Sequence, residues 1–347
     1  MKILILKPSS LGDVIQALPV LRLLKLHFRD AEIFWWIDSA LAPLLEGDPD
    51  LAGIVHFERK RWKSPQHWPE MLRSIRWLRE QNFDLVIDLQ CLARSGAFAW
   101  LTNGKFLIGL DEAREGARGF YDVAVPRKSF HTHAVDWYLA VLPRLGVPVH
   151  KNFQWLPERP AVAAETKRKW LGENSRFAIR DSPLILLQPG ARWSNKRWPA
   201  ENFAELVHLT VKNLPAARFV VLGDAEDKPL GEIISRAAPE NCLNLCGETS
   251  LPEMIELLRL CDLMVTNDTG PMHVAAALGK PLVAIFGPTE PRRTGPYGHL
   301  ENVLRIELPC SPCLKDYCAY EKPNECLNAI SPTMVFERVR KQFSPRS

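Results

Sequence analysis

Two doubly wound α/β domains are predicted by three features of this 347-residue chain. Short apolar runs alternate with amphipathic stretches along the first half. The same rhythm restarts in the second half. Between them a proline-rich stretch, 146–182, loses periodicity and reads as the linker. Strands alternating with helices imply parallel sheets and right-handed crossovers. Near-continuous apolar strands fit sheets covered on both faces, and the length suits two domains of ordinary size.

In the first half, "KILILK" (2–7), "AEIFWWID" (31–38), "IVHF" (54–57), "FDLVIDLQ" (83–90) and "KFLIGL" (105–110) read as strands. Apolar residues at helical spacing mark "DVIQALPVLRLLKLHF" (13–28), with a bend at Pro19, and "WPEMLRSIRWLREQ" (68–81). In the second half the strands are "PLILLQ" (183–188), "ARFVVLG" (217–223), "CLNLCG" (242–247), "DLMVTN" (262–267) and "PLVAIFG" (281–287). Helices fall on 199–213 and 250–261. The expected domains are 1–155 and 156–330, and a final helix near 331–343, within 331–347, is expected to return to the first domain. The two domains are expected to face a cleft.

Bulk properties narrow the function. A net charge of +4 with 24% charged residues argues against a dedicated nucleic-acid binder. "MKILILKPSSLGD" has a four-residue apolar core and no cleavage site, so no signal peptide is expected. No apolar run approaches the ~20 residues that span a bilayer. The expected location is cytoplasmic.

Ligands of such sheets bind beyond the carboxyl ends of the strands, so the strand-to-helix turns should carry the chemistry. In "NDTGPMHVAAALG" (267–279), Asp268, Thr269 and Gly270 form a turn, with Pro271 at the first helical position. The helix N-terminus there favours an anion, and Gly270 permits close backbone approach. Asp268 orders the turn or accepts from a sugar hydroxyl, and His273 offers a donor to phosphate. The alternative is a capped helix with a packed His. In "KPSSLGDV" (7–14), Asp13 starts a helix, either as a plain N-cap or as a base at the cleft floor. In "PGARWSNKRWP" (189–199), Arg192 and Lys196 suit a diphosphate, or else a solvated loop. Glu226 in "LGDAEDK" (222–228) offers an acceptor for a ribose.

These segments resemble glycosyltransferase family 9, the ADP-heptose:lipopolysaccharide heptosyltransferases. "NDTGPMHVAAALGKPLVAIFGPT" is similar to the family's nucleotide signature, "MKILILKPSSLGDVIQALPVLRLLK" to its opening and "PGARWSNKRWP" to its lysine loop. "FDLVIDLQCLARSG" resembles a third segment, with Cys91 in place of the usual Gly. The resemblance implies a GT-B fold and inverting transfer of L-glycero-D-manno-heptose from ADP-heptose. It implies Asp13 as general base and Lys196 as the cation on the donor diphosphate. Arg192, Glu226, Asp268, Thr269, Gly270 and His273 would bind the donor. No Asp-x-Asp motif of the metal-dependent transferases is read in the chain, so no cofactor is expected for catalysis.

On the acceptor side, "FERKRWKSPQHW" (57–68) sets Arg59, Lys60, Arg61 and Lys63 among aromatics. "DEAREGARGF" (111–120) adds Arg114 and Arg118. With the resemblance, these cations suit a Kdo–lipid A or heptosylated inner-core acceptor and an anionic membrane surface, peripheral to the inner membrane. The "DLQ…RS" and "DEARE" segments look closer to the enzymes that add the first heptose. Cys310, Cys313, Cys318 and Cys326 are spaced compactly enough for a structural zinc or two disulfides, with free thiols a third state. Cys91, Cys242, Cys246 and Cys261 lie in or beside apolar runs and are expected to be buried. The rival readings are a transferase or epimerase with another nucleotide sugar, a non-catalytic nucleotide-sugar-binding protein, and a metal-bound adaptor built on the cysteine cluster.

Overall fold

The computed structural model describes residues 1–112, 115–172 and 182–343. It divides into two compact units, Met1–Pro157 and Glu158–Ser347, within two residues of the expected boundary.

The first unit runs β1 (Lys2–Leu6), α1 (Leu11–His27), β2 (Glu32–Asp38), β3 (Gly53–Phe57), α2 (Trp68–Glu80), β4 (Leu85–Asp88), α3 (Ala93–Leu101), β5 (Leu107–Asp111), β6 (Val123–Pro126) and α4 (Ala134–Leu139). Its strands pair in parallel in the order β3-β2-β1-β4-β5-β6. Every residue of β4 is buried, as expected of a strand between two helical layers. α1 is buried almost all round through Leu24, which its apolar composition demands. Pro19 lies inside α1, which continues unbroken from Leu11 to His27.

The second unit runs α5 (Pro160–Thr166), β7 (Leu184–Gln188), α6 (Ala200–Asn213), β8 (Arg218–Val221), α7 (Lys228–Ser235), β9 (Cys242–Asn244), α8 (Leu251–Leu260), β10 (Leu263–Asn267), α9 (Gly270–Ala277), β11 (Leu282–Phe286), α10 (Pro291–Thr294), β12 (Val303–Arg305), α11 (Glu325–Asn328) and α12 (Pro332–Phe343). Its parallel sheet is ordered β12-β11-β10-β7-β8-β9. In chain order this repeats the first unit, with the first and fourth strands side by side at the centre. The order reverses there, between β1 and β4 in one unit and β7 and β10 in the other. That reversal is where open α/β sheets hold ligands.

Each sheet has one strand more than the sequence predicts. β6 and β12 are short edge strands, and β6 ends on Pro126, which cannot donate to a ladder. The terminal helix also differs from expectation. α12 belongs to the second unit, where Val335 and Val339 are buried in the same core as Ile285, Trp198 and Phe203.

Candidate active site

At the switch point of the second unit, the loop after β7 and the turn after β10 are tied together. Asn267 ends β10. Its Nδ2 donates to the Pro189 carbonyl at 2.7 Å, and its Oδ1 accepts from the Trp198 amide at 3.1 Å. The loop between carries Lys196. Its Nζ donates to Asp268 Oδ2 at 2.7 Å and lies 4.7 Å from the centre of the Trp193 ring. Thr289 Oγ1, just beyond β11, donates to the same Asp268 oxygen at 2.6 Å. Asp268 is buried, and its Oδ2 accepts from both the lysine and the threonine. The Lys196 ammonium is thus fixed by a charge-assisted bond.

Thr269 is the N-cap of α9, but its side chain does not cap the helix. Gly270 and Pro271 are the first two helical residues, one position earlier than predicted for Pro271. His273 is buried in the first turn of α9. Arg192 is exposed and forms no hydrogen bond or ion pair with the described residues. Glu226 is exposed as well.

The acid that sequence reasoning missed in this turn is its neighbour Asp227, which is buried. Asp224 Oδ1 accepts from the amides of Glu226 and Asp227 at 2.9 and 3.2 Å and so closes the turn. Gly190 lies so close to Asp227 that an added Cβ would strike the carboxylate. Burial pushes the Asp227 carboxyl up, and the nearest Arg197 nitrogen stands 3.9 Å away. The signal was present in "LGDAEDK" as a second Asp three residues after the first.

In the first unit, Asp13 does not start the helix. Ser10 is the N-cap, and Asp13 is the third helical residue of a capping box. Asp13 Oδ2 accepts from the Ser10 amide at 2.9 Å and from Ser10 Oγ at 2.7 Å. Oδ1 accepts from the Tyr138 hydroxyl at 3.2 Å and stands 4.0 Å from Lys7 Nζ. The Asp13 side chain is 38% exposed, so a base here is reachable from solvent.

Across the switch point, Asp88 ends β4 fully buried. It accepts from the Tyr121 hydroxyl at 2.7 Å and the Gln90 amide at 2.8 Å, and burial pushes its carboxyl up. Cys91 follows with φ 59°, the left-handed region that favours Gly. That backbone explains why a glycine suits this position. Here the thiol is put to use: Sγ donates to the Leu110 carbonyl at 2.9 Å and accepts from the Glu112 amide at 3.1 Å.

The basic segment after β3 forms short 3-10 turns around the buried Trp62, whose ring stacks on Phe98 at 6.0 Å. Lys60, Arg61 and Lys63 are exposed and Arg59 half-buried. Arg61 is paired with Glu70 at 2.8 Å. Arg118 is exposed beside Asp111 at 3.4 Å, and Arg114 lies outside the described residues. One Asp-x-Asp triplet does occur, Asp48-Pro49-Asp50, against the sequence reading. Arg22 takes both carboxylates, with Nη1 at 2.6 Å from each, so the triplet serves as an ion-pair clamp.

Cys310, Cys313, Cys318 and Cys326 line one small cavity together with Asn195 and Pro288. All four are free thiols. Burial, with the other three thiols close by, pushes Cys326 up to about 11. Among the described residues no three His, Cys, Asp or Glu side chains are assembled as a metal site. Cys91, Cys242, Cys246 and Cys261 are buried, as their apolar surroundings predict.

Residues 71–323 match the family model described as glycosyltransferase family 9 (heptosyltransferase). The chain is 32% identical over 338 residues to lipopolysaccharide heptosyltransferase 1 of Pseudomonas aeruginosa, covering 94% of this chain and 89% of that protein. It is 30% identical over 353 residues to lipopolysaccharide heptosyltransferase 2 of Escherichia coli, covering 98% and 97%. Its fold matches the structure of E. coli ADP-heptose LPS heptosyltransferase II with a TM-score of 0.79 at 27% identity, over 99% of this chain and 98% of that one. E. coli heptosyltransferase WaaC with ADP shares the fold at a TM-score of 0.76 and 23% identity, over 99% and 100%. The two sheets and their helices are thus a GT-B fold, and the chain belongs to glycosyltransferase family 9, the heptosyltransferases.

Proposed function

We propose that this chain transfers L-glycero-D-manno-heptose from ADP-heptose to the Kdo/heptose inner core of lipopolysaccharide, with inversion. The observation that carries the reading is the Lys196 ammonium, held at 2.7 Å by buried Asp268 beside the start of α9. As the bond from the anomeric carbon to the diphosphate breaks, negative charge grows on the departing ADP. A cation fixed in advance stabilises that charge where it forms. Arg192, Glu226, Thr269, Gly270 and His273 complete the proposed donor site. The acceptor hydroxyl attacks the anomeric carbon from the opposite face, and Asp13 takes its proton. Help of this kind is worth about 10²–10⁴-fold.

Arg59, Lys60, Arg61, Lys63 and Arg118 are the proposed acceptor contacts. Exposed Trp68 and Leu72, one turn apart on α2, follow the basic segment. Cations beside exposed apolar residues suit an anionic bilayer surface, so the proposed workplace is the cytoplasmic face of the inner membrane. Among the described residues no helix is long and apolar enough to cross it. Relatives named heptosyltransferase 1 and 2 match at 32% and 30% identity, so the acceptor is kept as the inner core without choosing between its positions. No metal is assigned to catalysis.

Donor choice is tested by thermal protection with ADP-, UDP- and GDP-sugars, on the wild type and on Asp13→Ala. ADP-heptose should protect both proteins alike, and only the wild type should turn over. Protection by a UDP-sugar instead would refute the donor, and turnover by Asp13→Ala would refute the base. A structural zinc on the four cysteines is a further part of the proposal. Metal analysis should find about one zinc per chain, and a metal-free protein with four titratable thiols would remove it.

A further inference from the structure

We infer that Lys7 and Tyr138 are positioning residues that keep Asp13 ionised and aim its Oδ1 at the incoming hydroxyl. The inference rests on Asp13 being the base. One oxygen of Asp13 is taken: Oδ2 already accepts twice from Ser10, at 2.9 and 2.7 Å. The proton is therefore assigned to Oδ1, which Tyr138 and Lys7 approach. Tyr138 reaches in from α4, 125 residues along the chain, and donates its hydroxyl at 3.2 Å. Lys7 Nζ stands 4.0 Å away and 4.9 Å from the centre of the Tyr138 ring.

Lys7 is an unusual lysine. It is 3% exposed, and its ammonium makes no hydrogen bond with the described residues. Burying a cation without hydrogen bonds is unfavourable, and burial accordingly drives the Lys7 pKa down. The acidic groups around it oppose that: Asp13 on α1, Asp88 at the end of β4, Cys91 after β4, and Glu112 after β5. Tyr138 in turn feels burial first, then Asp13, Arg127 and Glu112. A lysine that only clamped the fold would be expected to hydrogen-bond Asp88, which is fully buried at the end of the adjacent strand. Asp88 is instead satisfied by Tyr121 and the Gln90 amide. That leaves the Asp13 carboxylate as the anion within salt-bridge distance of the ammonium. A cation at this range favours the carboxylate form of Asp13, and the tyrosine hydroxyl fixes which way Oδ1 points.

The test is the pH dependence of kcat and of kcat/KM for the wild type, Lys7→Met and Tyr138→Phe, with ADP-heptose and an inner-core acceptor. Both changes remove support for the charged form, so the acid limb should move to higher pH. A shift of about one unit is expected for Lys7→Met and a smaller one for Tyr138→Phe. In Tyr138→Phe kcat should fall about tenfold while KM for ADP-heptose stays within about twofold. An unchanged acid limb and kcat in folded variants would overturn the inference. If Lys7→Met fails to fold, Tyr138→Phe decides alone. Asp13→Asn separates the two levels: full turnover in that variant would remove the base itself, whatever Lys7 and Tyr138 do.

Discussion

Glu253 shows how one residue can hold a helix and a neighbouring segment together. Its Oε2 accepts from the amide and the hydroxyl of Ser250, both at 2.8 Å, closing the capping box of α8. Its Oε1 accepts from Lys169 Nζ at 2.8 Å. Burial alone would push this carboxyl up; the bonds from Lys169 and Ser250 outweigh it and hold the group at about 2. A carboxyl depressed on folding stabilises the protein above its unfolded value near 4.5, and that stability is lost as pH falls toward 2. Glu253→Gln should therefore unfold more easily at pH 7, by about 1 kcal/mol. The gap should close by about pH 2, as read from urea midpoints across pH; an equal gap at both pH values would contradict this. Residues of this kind are only partly legible. Asp13, Lys196 and Asp268 stand out because Gly and Pro mark their turns in the sequence. Lys7 and Tyr138 do not, since what defines them is their convergence on Asp13, which Tyr138 reaches across 125 residues. Asp227 was marked locally only by its spacing from Asp224; that it is buried behind Gly190 while Glu226 faces solvent is set by the tertiary fold.

Elements were legible where they are long and periodic. α1, α2, α6 and α8 fall within two residues of their predicted limits, because each has an apolar stripe or an all-apolar body. β6 and β12 were not, because edge strands of three or four residues bury too little to need a pattern. The placement of α12 was missed because an amphipathic stripe says that a helix packs, not against what. Its Val335 and Val339 complete the second unit's core. α2 leaves part of its surface unused. Trp68 and Leu72 are 51% and 60% exposed, and Arg73, Arg76 and Arg79 share the helix. Replacing the apolar residues of that face with acids, as Trp68→Glu and Leu72→Glu, should abolish sedimentation with vesicles containing anionic phosphatidylglycerol. Sedimentation with neutral vesicles should be weak for the wild type, and equal sedimentation of wild type and variant with anionic vesicles would sink the membrane reading.

At the scale of the molecule, the chain builds one strand order twice, and the proposed site residues of each copy lie at the same reversal point. In the first, α1 brings Asp13 to the end of β1. In the second, the loop after β7 brings Lys196 to Asp268 at the end of β10. That repetition made the fold class readable from rhythm alone, since a βα repeat with buried strands has few other ways to pack. The substrate is another matter. Fold does not fix chemistry, and the heptose reading rests on the Lys196–Asp268 turn together with membership of the family. Mass spectrometry of products from ADP-heptose tests it most directly, with Kdo–lipid A in one reaction and a heptosylated inner core in another. The account predicts that one acceptor gains a single heptose with release of ADP. No mass gain on either acceptor from an active, ADP-binding preparation would contradict it.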